Sequence, residues 1–327
     1  MTRSSFENKK IDDIDDGSAY PKQCKQIKDI FQMFIYYVKT RTPPVYCYPI
    51  ATILSFLLIS KSHILENAPV AFGIGIASYF LALATYVYND ITDIDVDRVN
   101  RKNQSNITRN QSKRELIILV IFLFSLAATI SYVISILAFI ISIIFIVLGI
   151  IYSHPAFSLK SRFPLKTIVT AIGAGLLSLL GGVGAISNGS ENDSSTGTTV
   201  LPLSTIYLAF SFAIFYFIQS PLGDIADIKG DRAAGRNTFP LVLGINGTLA
   251  VMISVPFIIL AMNGLCFSIM HISIDGTIAI VSTSLIVVGF IGWMSNRLHD
   301  PFLVKSKRNN VRYLNILMQI SILIALF

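Results

Sequence analysis

At 53% hydrophobic and 14% charged, with a mean hydropathy of +0.64, this 327-residue chain is too apolar for an ordinary soluble enzyme, whose charged share is about 25%. The same figures exclude disorder, and three widely spaced cysteines (Cys24, Cys47, Cys266) exclude a disulfide scaffold or a cysteine zinc site. A net charge of +7 leaves nucleic acid as a candidate partner only until the cations are placed along the chain.

Residues 1–40 read as a cytoplasmic N-terminal segment with an acidic patch at Asp12, Asp13, Asp15 and Asp16 and no apolar stretch of the kind a cleavable signal carries. Ile27, Ile30, Phe31, Phe34, Ile35 and Val38 recur at helical spacing, flanked by Lys25, Lys28 and Lys39. This pattern predicts an amphipathic helix lying on the membrane face and ended by Pro43-Pro44. Residues 41–327 read as a single domain. Its run 116–153 has no charged side chain and would measure about 57 Å as one helix. A bilayer core is about 30 Å thick, so the run must be two spans that turn near Ser131–Ser135. Trimmed in the same way, the charge-free runs predict nine helices: 45–60, 69–88, 116–133, 136–152, 167–187, 203–222, 248–266, 276–295 and 312–327. The expected fold is therefore an all-α multipass membrane bundle. Residues 187–199, rich in Ser, Gly, Asn and Thr, read as an external loop.

Counting alternate loops puts every one of the 26 Lys and Arg on one side except Lys61. That asymmetry predicts a cytoplasmic N-terminus, and it explains the basic charge by topology and contact with anionic head groups, with no nucleic acid.

Seven of the 19 acids fall in two short segments. In the first, Asn89, Asp93 and Asp97 are spaced i, i+4, i+8, and Asp90 joins their face while Asp95 points away. In the second, Asp224, Asp227 and Asp231 are spaced i, i+3, i+7. Each segment follows a predicted span, the second and the sixth, on the cytoplasmic side. Massed carboxylates need compensation. Mg²⁺ supplies it, taking carboxylate oxygens and completing its shell with water and substrate phosphate. The seven residues Asn89, Asp90, Asp93, Asp97, Asp224, Asp227 and Asp231 are the expected metal ligands around a diphosphate. Lys160, Arg162, Arg101 and Arg232 are expected to neutralise the remaining phosphate charge, with Arg98 beside them and Arg41 and Tyr152 completing the diphosphate set. Asp93, Asp97, Asp227 and Lys160 are expected to carry turnover. A solvated helix end explains either segment alone; two on one side of a membrane favour a metal–diphosphate site.

At these residues the chain resembles the UbiA superfamily of intramembrane prenyltransferases. Asn89, Asp90, Asp93 and Asp97 match that family's N-D-x-x-D-x-x-x-D segment, and Asp224, Asp227 and Asp231 match its D-x-x-D-x-x-x-D segment. Residues 230–244 and the Tyr152–Lys160 stretch look like the family's continuations. The resemblance implies Mg²⁺-dependent transfer of a polyprenyl group, geranylgeranyl among them, from an allylic diphosphate to a lipophilic acceptor. Two departures stand out. Lys-Asn-Gln-Ser-Asn follows Arg101 where many relatives have Pro-Asn-Arg-Pro. Gln219-Ser220-Pro221-Leu222-Gly223 precedes Asp224 where the archaeal ether-lipid branch has Arg-Glu and then Lys. Against the second departure, Tyr152–Lys160 with Arg162 and Lys166 looks closest to that branch and points to geranylgeranylglyceryl phosphate as acceptor. An aromatic quinone-precursor transferase, a terpene cyclase of the same family and, in a different class, a multipass cation transporter remain the alternatives. His154 is a candidate diphosphate contact, Lys305 reads as a topology charge, and the helix-5 glycines Gly173, Gly175, Gly181, Gly182 and Gly184 read as close helix packing. Tyr86, Tyr88, Phe212, Phe215 and Tyr216 are candidate walls of an isoprenoid tunnel.

Overall fold

The structure, a computed structural model, describes residues 22–60, 65–94, 113–189, 201–298 and 300–327. Asp97, Arg98, Arg101, the acidic patch and most of the 187–199 loop lie outside them. Among the described residues there is no strand. Twelve α-helices follow in order: α1 (Lys22–Val45), α2 (Cys47–Ile59), α3 (Ala68–Thr92), α4 (Lys113–Ile134), α5 (Ile136–Ser153), α6 (Leu165–Gly189), α7 (Leu203–Ile214), α8 (Tyr216–Ala233), α9 (Phe239–Val242), α10 (Gly244–Cys266), α11 (Ile274–Ser295) and α12 (Pro301–Leu326). A 3₁₀ turn, Leu159–Ser161, joins α5 to α6.

Among the described residues, seven helices, two of them compound (Leu203–Ala233 and Phe239–Cys266), are long and apolar enough to cross a membrane. An eighth crossing is reached if the pair Ile30–Val45 and Cys47–Ile59, bent by 60°, counts as one. The ninth expected span, 312–327, is the second half of α12. Arg312, Asn315 and Gln319 interrupt its apolar run, and all three are buried. The outer faces of α4 and α5 present Ile121, Phe122, Ile140, Ile144 and Val147, as a lipid-facing surface does. The protein is an integral membrane protein.

The turn expected near Ser131–Ser135 falls at Ser135, whose extended backbone and side chain cap α5 by accepting from the Leu137 amide at 3.2 Å. The N-terminal helix differs from expectation. α1 continues through Pro43 and Pro44 to Val45 and runs unbroken across residues 40–41. Met33 and Tyr37 are fully buried against the bundle, so its apolar face meets protein as well as lipid. The prolines withhold two backbone donors, and the chain bends directly after them instead of stopping.

Small residues bring the central helices together. A Cβ on Gly181 of α6 would lie 1.8 Å from the Thr52 carbonyl oxygen of α2, so only glycine permits this crossing. Thr52 Oγ1 adds hydrogen bonds to Ser78 of α3 (2.8 Å) and to the Leu177 carbonyl of α6 (2.7 Å). One core cluster is built mainly from α1–α6 and a second mainly from α7–α12. Helices of both halves contribute residues to one cavity.

Candidate active site

The cavity holds about 520 Å³. One part of its wall is apolar and aromatic, with Phe145, Leu148, Val169, Tyr48, Tyr86 and Tyr216, and Tyr48 stacks on Tyr216 at 5.8 Å. The other part is ionic. Of the expected residues, Arg41, Asn89, Asp90, Asp93, Tyr152, Lys160, Asp224, Asp227 and Asp231 all line it. The two acidic segments therefore face one space, as their helical spacing implies.

Each acid arrives by a readable local route. α3 ends at Thr92, and the Asp93 amide closes its last turn on the Asn89 carbonyl at 2.9 Å. Asn89 Nδ2 then donates to Asp93 Oδ2 at 3.0 Å, while Asn89 Oδ1 accepts from Lys160 Nζ and Ser153 Oγ, both at 3.1 Å. With these bonds made, Asn89 acts as a spacer between α3, α5 and the 3₁₀ turn. Lys160 reaches Asp93 Oδ1 at 2.8 Å and Thr92 Oγ1 at 2.6 Å, using three acceptors in all. Asp224, Asp227 and Asp231 lie within α8 rather than beyond its end. Asp93, Asp224 and Asp231 are only 6%, 2% and 2% exposed, unlike the carboxylates of a solvated helix end. Burial at that depth is sustained by cations. Lys166, at the start of α6, pairs with Asp224 and approaches Asp231 to 3.8 Å. Arg236 pairs with Asp93 and reaches Asp231 at 3.4 Å. Arg41 pairs with Asp90. Among the described residues, no group of three acids converges as ready metal ligands, because lysine and arginine stand between them.

The electrostatics follow from these contacts. Burial opposes an ionised Asp93, yet Lys160 and Arg236 outweigh it and hold the carboxyl below the ordinary carboxylate value. For Lys160, burial wins over the attraction of Asp93, and its pKa falls below the usual 10.5. The two directions agree physically, since Asp93 enjoys two cations while Lys160 shares one anion with Arg236. Arg236 is pulled down by burial but raised overall by Asp93 and Asp231.

Three expected contacts are not made. Arg162 and Arg232 are exposed and outside the lining. Arg232 follows Asp231 by one residue, and neighbours on a helix point about 100° apart. His154 is exposed as well, its Nδ1 accepting from the Ala156 amide at 3.2 Å. Of the tunnel candidates, Tyr86 and Tyr216 line the cavity, while Phe212 and Phe215 are core and Tyr88 is elsewhere.

Arg236 takes the place expected of Arg232. The end of α8 explains it: the Gly235 amide bonds the Arg232 carbonyl (3.1 Å) and the Arg236 amide bonds the Asp231 carbonyl (2.9 Å), with Gly235 at φ +64. This left-handed glycine closure folds Arg236 back over the helix end. The Gly-Asp-Arg-Ala-Ala-Gly-Arg sequence carried that signal. Lys166, Lys305, Arg308 and Arg312 also line the cavity, Lys305 from its exposed end.

A family model described as the UbiA prenyltransferase family matches residues 49–317. The chain belongs to this family. A curated relative, digeranylgeranylglyceryl phosphate synthase of Halobacterium salinarum, is 30% identical over 188 residues, covering 56% of this chain and 60% of that protein. The match thus spans about three fifths of the relative's length. Among solved structures, a UbiA homologue from Aeropyrum pernix K1 superposes with a TM-score of 0.64 at 21% identity, over 85% of this chain and 94% of that one. A homologue from Archaeoglobus fulgidus bound to GPP and Mg²⁺ gives 0.60 at 20% identity, over 88% and 99%. These two likenesses confirm the UbiA fold.

Proposed function

We propose that the chain is a metal-dependent intramembrane prenyltransferase that moves a polyprenyl group, geranylgeranyl by preference, from an allylic diphosphate to a lipophilic acceptor, geranylgeranylglyceryl phosphate. The observation that carries this reading is the meeting of both acidic segments and Lys160, Lys166 and Arg236 in one cavity with an aromatic, apolar wall. The relatives' name and the Mg²⁺ and GPP of the Archaeoglobus homologue support it.

The acids do not converge as a ready three-ligand set, but the chemistry of their oxygens suits magnesium. Asp224 Oδ2 and Asp231 Oδ2 are buried with no hydrogen-bond donor, and they are hard carboxylate oxygens of the kind Mg²⁺ takes. Asp224, Asp227 and Asp231 would hold the ion, with Asp90 and Asp93 opposite. Bound there, Mg²⁺ would neutralise the diphosphate and weaken its bond to the allylic C1. The chain's own residues do the rest. Lys160 and Arg236, already charged beside Asp93, aim donors at the leaving oxygens as negative charge develops. Tyr48, Tyr86 and Phe145 border the space for the isoprenoid and exclude water from the allylic cation. The acceptor hydroxyl oxygen would then bond to C1, whose bond to the diphosphate oxygen has broken, and the hydroxyl proton would pass to the departing diphosphate.

The Lys and Arg asymmetry supports a cytoplasmic N-terminus and cavity mouth. Tyr36, Tyr37 and Thr40 line the cavity, which supports a catalytic unit that takes in α1 besides 41–327. The test is purified protein in detergent with labelled geranylgeranyl diphosphate, Mg²⁺ or chelator, and geranylgeranylglyceryl phosphate beside 4-hydroxybenzoate. Chelator-sensitive transfer to the glyceryl phosphate is expected. Transfer only to the aromatic ring would move the chain to the quinone-precursor branch, and chelator-insensitive turnover would remove the metal.

A further inference from the structure

Seven cationic side chains line the cavity, and four of them hold acids: Arg41 on Asp90, Lys160 on Asp93, Lys166 on Asp224 and Arg236 on Asp93 and Asp231. The other three, Lys305, Arg308 and Arg312, have no acid within ion-pair distance among the described residues. They are spaced i, i+3, i+7 on α12, so they share one helix face. Arg312 is only 5% exposed, and the Nε atoms of both Arg308 and Arg312 are buried without a hydrogen-bond partner. The same face continues inward as Asn315 and Gln319, both buried. Arg308 lies against Gly223, the residue before Asp224: a Cβ there would come 3.1 Å from its Nη2. Lys307, next to Arg308 on the same helix, lies outside the cavity lining: its Nζ sits 5.9 Å from the Trp293 ring, beside Arg297.

Burying guanidinium groups without counter-charge is unfavourable unless an anion completes them. On the transferase reading, on which this inference rests, the cavity must hold two anions at once when the acceptor carries a phosphate. Anions repel, so each needs its own cations. The set around the acids, with metal, serves the diphosphate.

We propose that the Lys305–Arg308–Arg312 face of α12 is the subsite for the acceptor's headgroup and takes a phosphate monoester of a lipid alcohol. Arg308 and Arg312 supply the fork-shaped donors suited to phosphate, and Lys305, at the exposed end, adds a point charge. The face replaces, from another helix, the cations missing from Gln219–Gly223 ahead of Asp224.

The test is steady-state kinetics of the full chain and of Arg308→Gln, Arg308→Lys, Arg312→Gln and the control Lys307→Gln. The donor is geranylgeranyl diphosphate, and the acceptors are geranylgeranylglyceryl phosphate and geranylgeranylglycerol, which lacks the phosphate. Arg308→Gln and Arg312→Gln are expected to raise KM for the phosphorylated acceptor about 10-fold or more. KM for the donor and for the phosphate-free acceptor should stay put, and Arg308→Lys should fall between parent and Gln. A raised donor KM would give this face to the diphosphate, and effects no larger than those of Lys307→Gln would make it topology; either overturns the proposal. If the parent transfers to neither acceptor, the transferase reading itself fails. Protection of the folded chain against heat by inorganic phosphate then decides: loss of it in Arg308→Lys supports the subsite, and equal protection in both chains overturns it.

Discussion

The two acidic segments have nearly the same spacing but different surroundings. The first closes a helix: Asp93 caps α3, and its two oxygens are taken up by Lys160, Arg236 and Asn89. The second is embedded in α8: Asp224 and Asp231 are as buried as the core, yet each keeps an oxygen without a hydrogen bond. One carboxylate cluster thus has both Asp93 oxygens taken up, while the other leans on Lys166 and, through Asp231, on Arg236 at 3.4 Å and still keeps two oxygens without a hydrogen bond. Matching motifs need not have matching work: on the proposed function, the first segment would position cations and the second would accept a metal.

The sharpest way to break this contrast is to remove each segment's lysine. Lys166→Met leaves Asp224 buried beside no cation and should destabilise the protein by about 3–5 kcal/mol, the range for breaking a buried pair. Lys160→Met should destabilise less, since Arg236 and Asn89 remain on Asp93. Thermal unfolding in detergent checks the order, and equal losses would make the two segments electrostatically equivalent.

A second contrast is metal demand. Asp231→Asn should raise the Mg²⁺ concentration for half-maximal transfer by about 10-fold, through loss of one charged oxygen ligand. Asp93→Asn should lower turnover with a smaller change in that requirement. Metal titration of both variants reads the difference, and a larger shift in Asp93→Asn would reverse the assignment.

Much of this contrast was legible in the amino-acid pattern, and the misses have one cause. The spacings of Asn89, Asp90 and Asp93 and of Asp224, Asp227 and Asp231 placed them on one cavity, and α5 spans Ile136–Ser153 against an expected 136–152. Both are periodicity signals, strong in continuous apolar helices. Lys166 reads in the sequence as a cation for the acceptor phosphate and not as the partner of Asp224, and Arg236, Arg308 and Arg312 carry no assigned role, because a cation on the positively biased side of a membrane protein looks the same whether it is buried on an acid or exposed to head groups. Packing separates Arg236 from Arg232, four residues before it, and the one local signal for it is Gly235, which closes α8. The buried face of α1 was missed for a related reason, since an amphipathic helix can meet lipid or protein with the same stripe.

Acid–base behaviour offers a finer probe of the first segment. Lys160 must be protonated to hold Asp93, and its pKa lies below the ordinary 10.5. Raising the pH should therefore cost activity earlier than a normal lysine would, as the ammonium loses its proton and Asp93 keeps its charge. Lys160→Arg stays protonated throughout and should shift the alkaline limb of kcat/KM upward, whatever it does to the plateau. An unmoved limb would assign it to another group.

The smallest expected effect tests the second segment where it meets α12. Tyr88 precedes Asn89 in the first segment, whereas Gly223 precedes Asp224 in the second, and the Arg308 guanidinium lies against that glycine. Gly223→Ala puts a methyl 3.1 Å from Arg308 Nη2, so the guanidinium must give by a few tenths of an ångström. The neighbour is the end of a flexible side chain, and the penalty should fall below the about 1–3 kcal/mol of ordinary overpacking. Stability should hardly change, while KM for a phosphorylated acceptor rises by roughly twofold to fivefold, since a displaced fork loses part of its bidentate geometry. Gly223→Val, with a branched side chain in the same place, should enlarge both effects. An unchanged KM in both variants would mean that Arg308 is not held in register by this contact, and would leave the glycine a matter of α8–α12 packing alone.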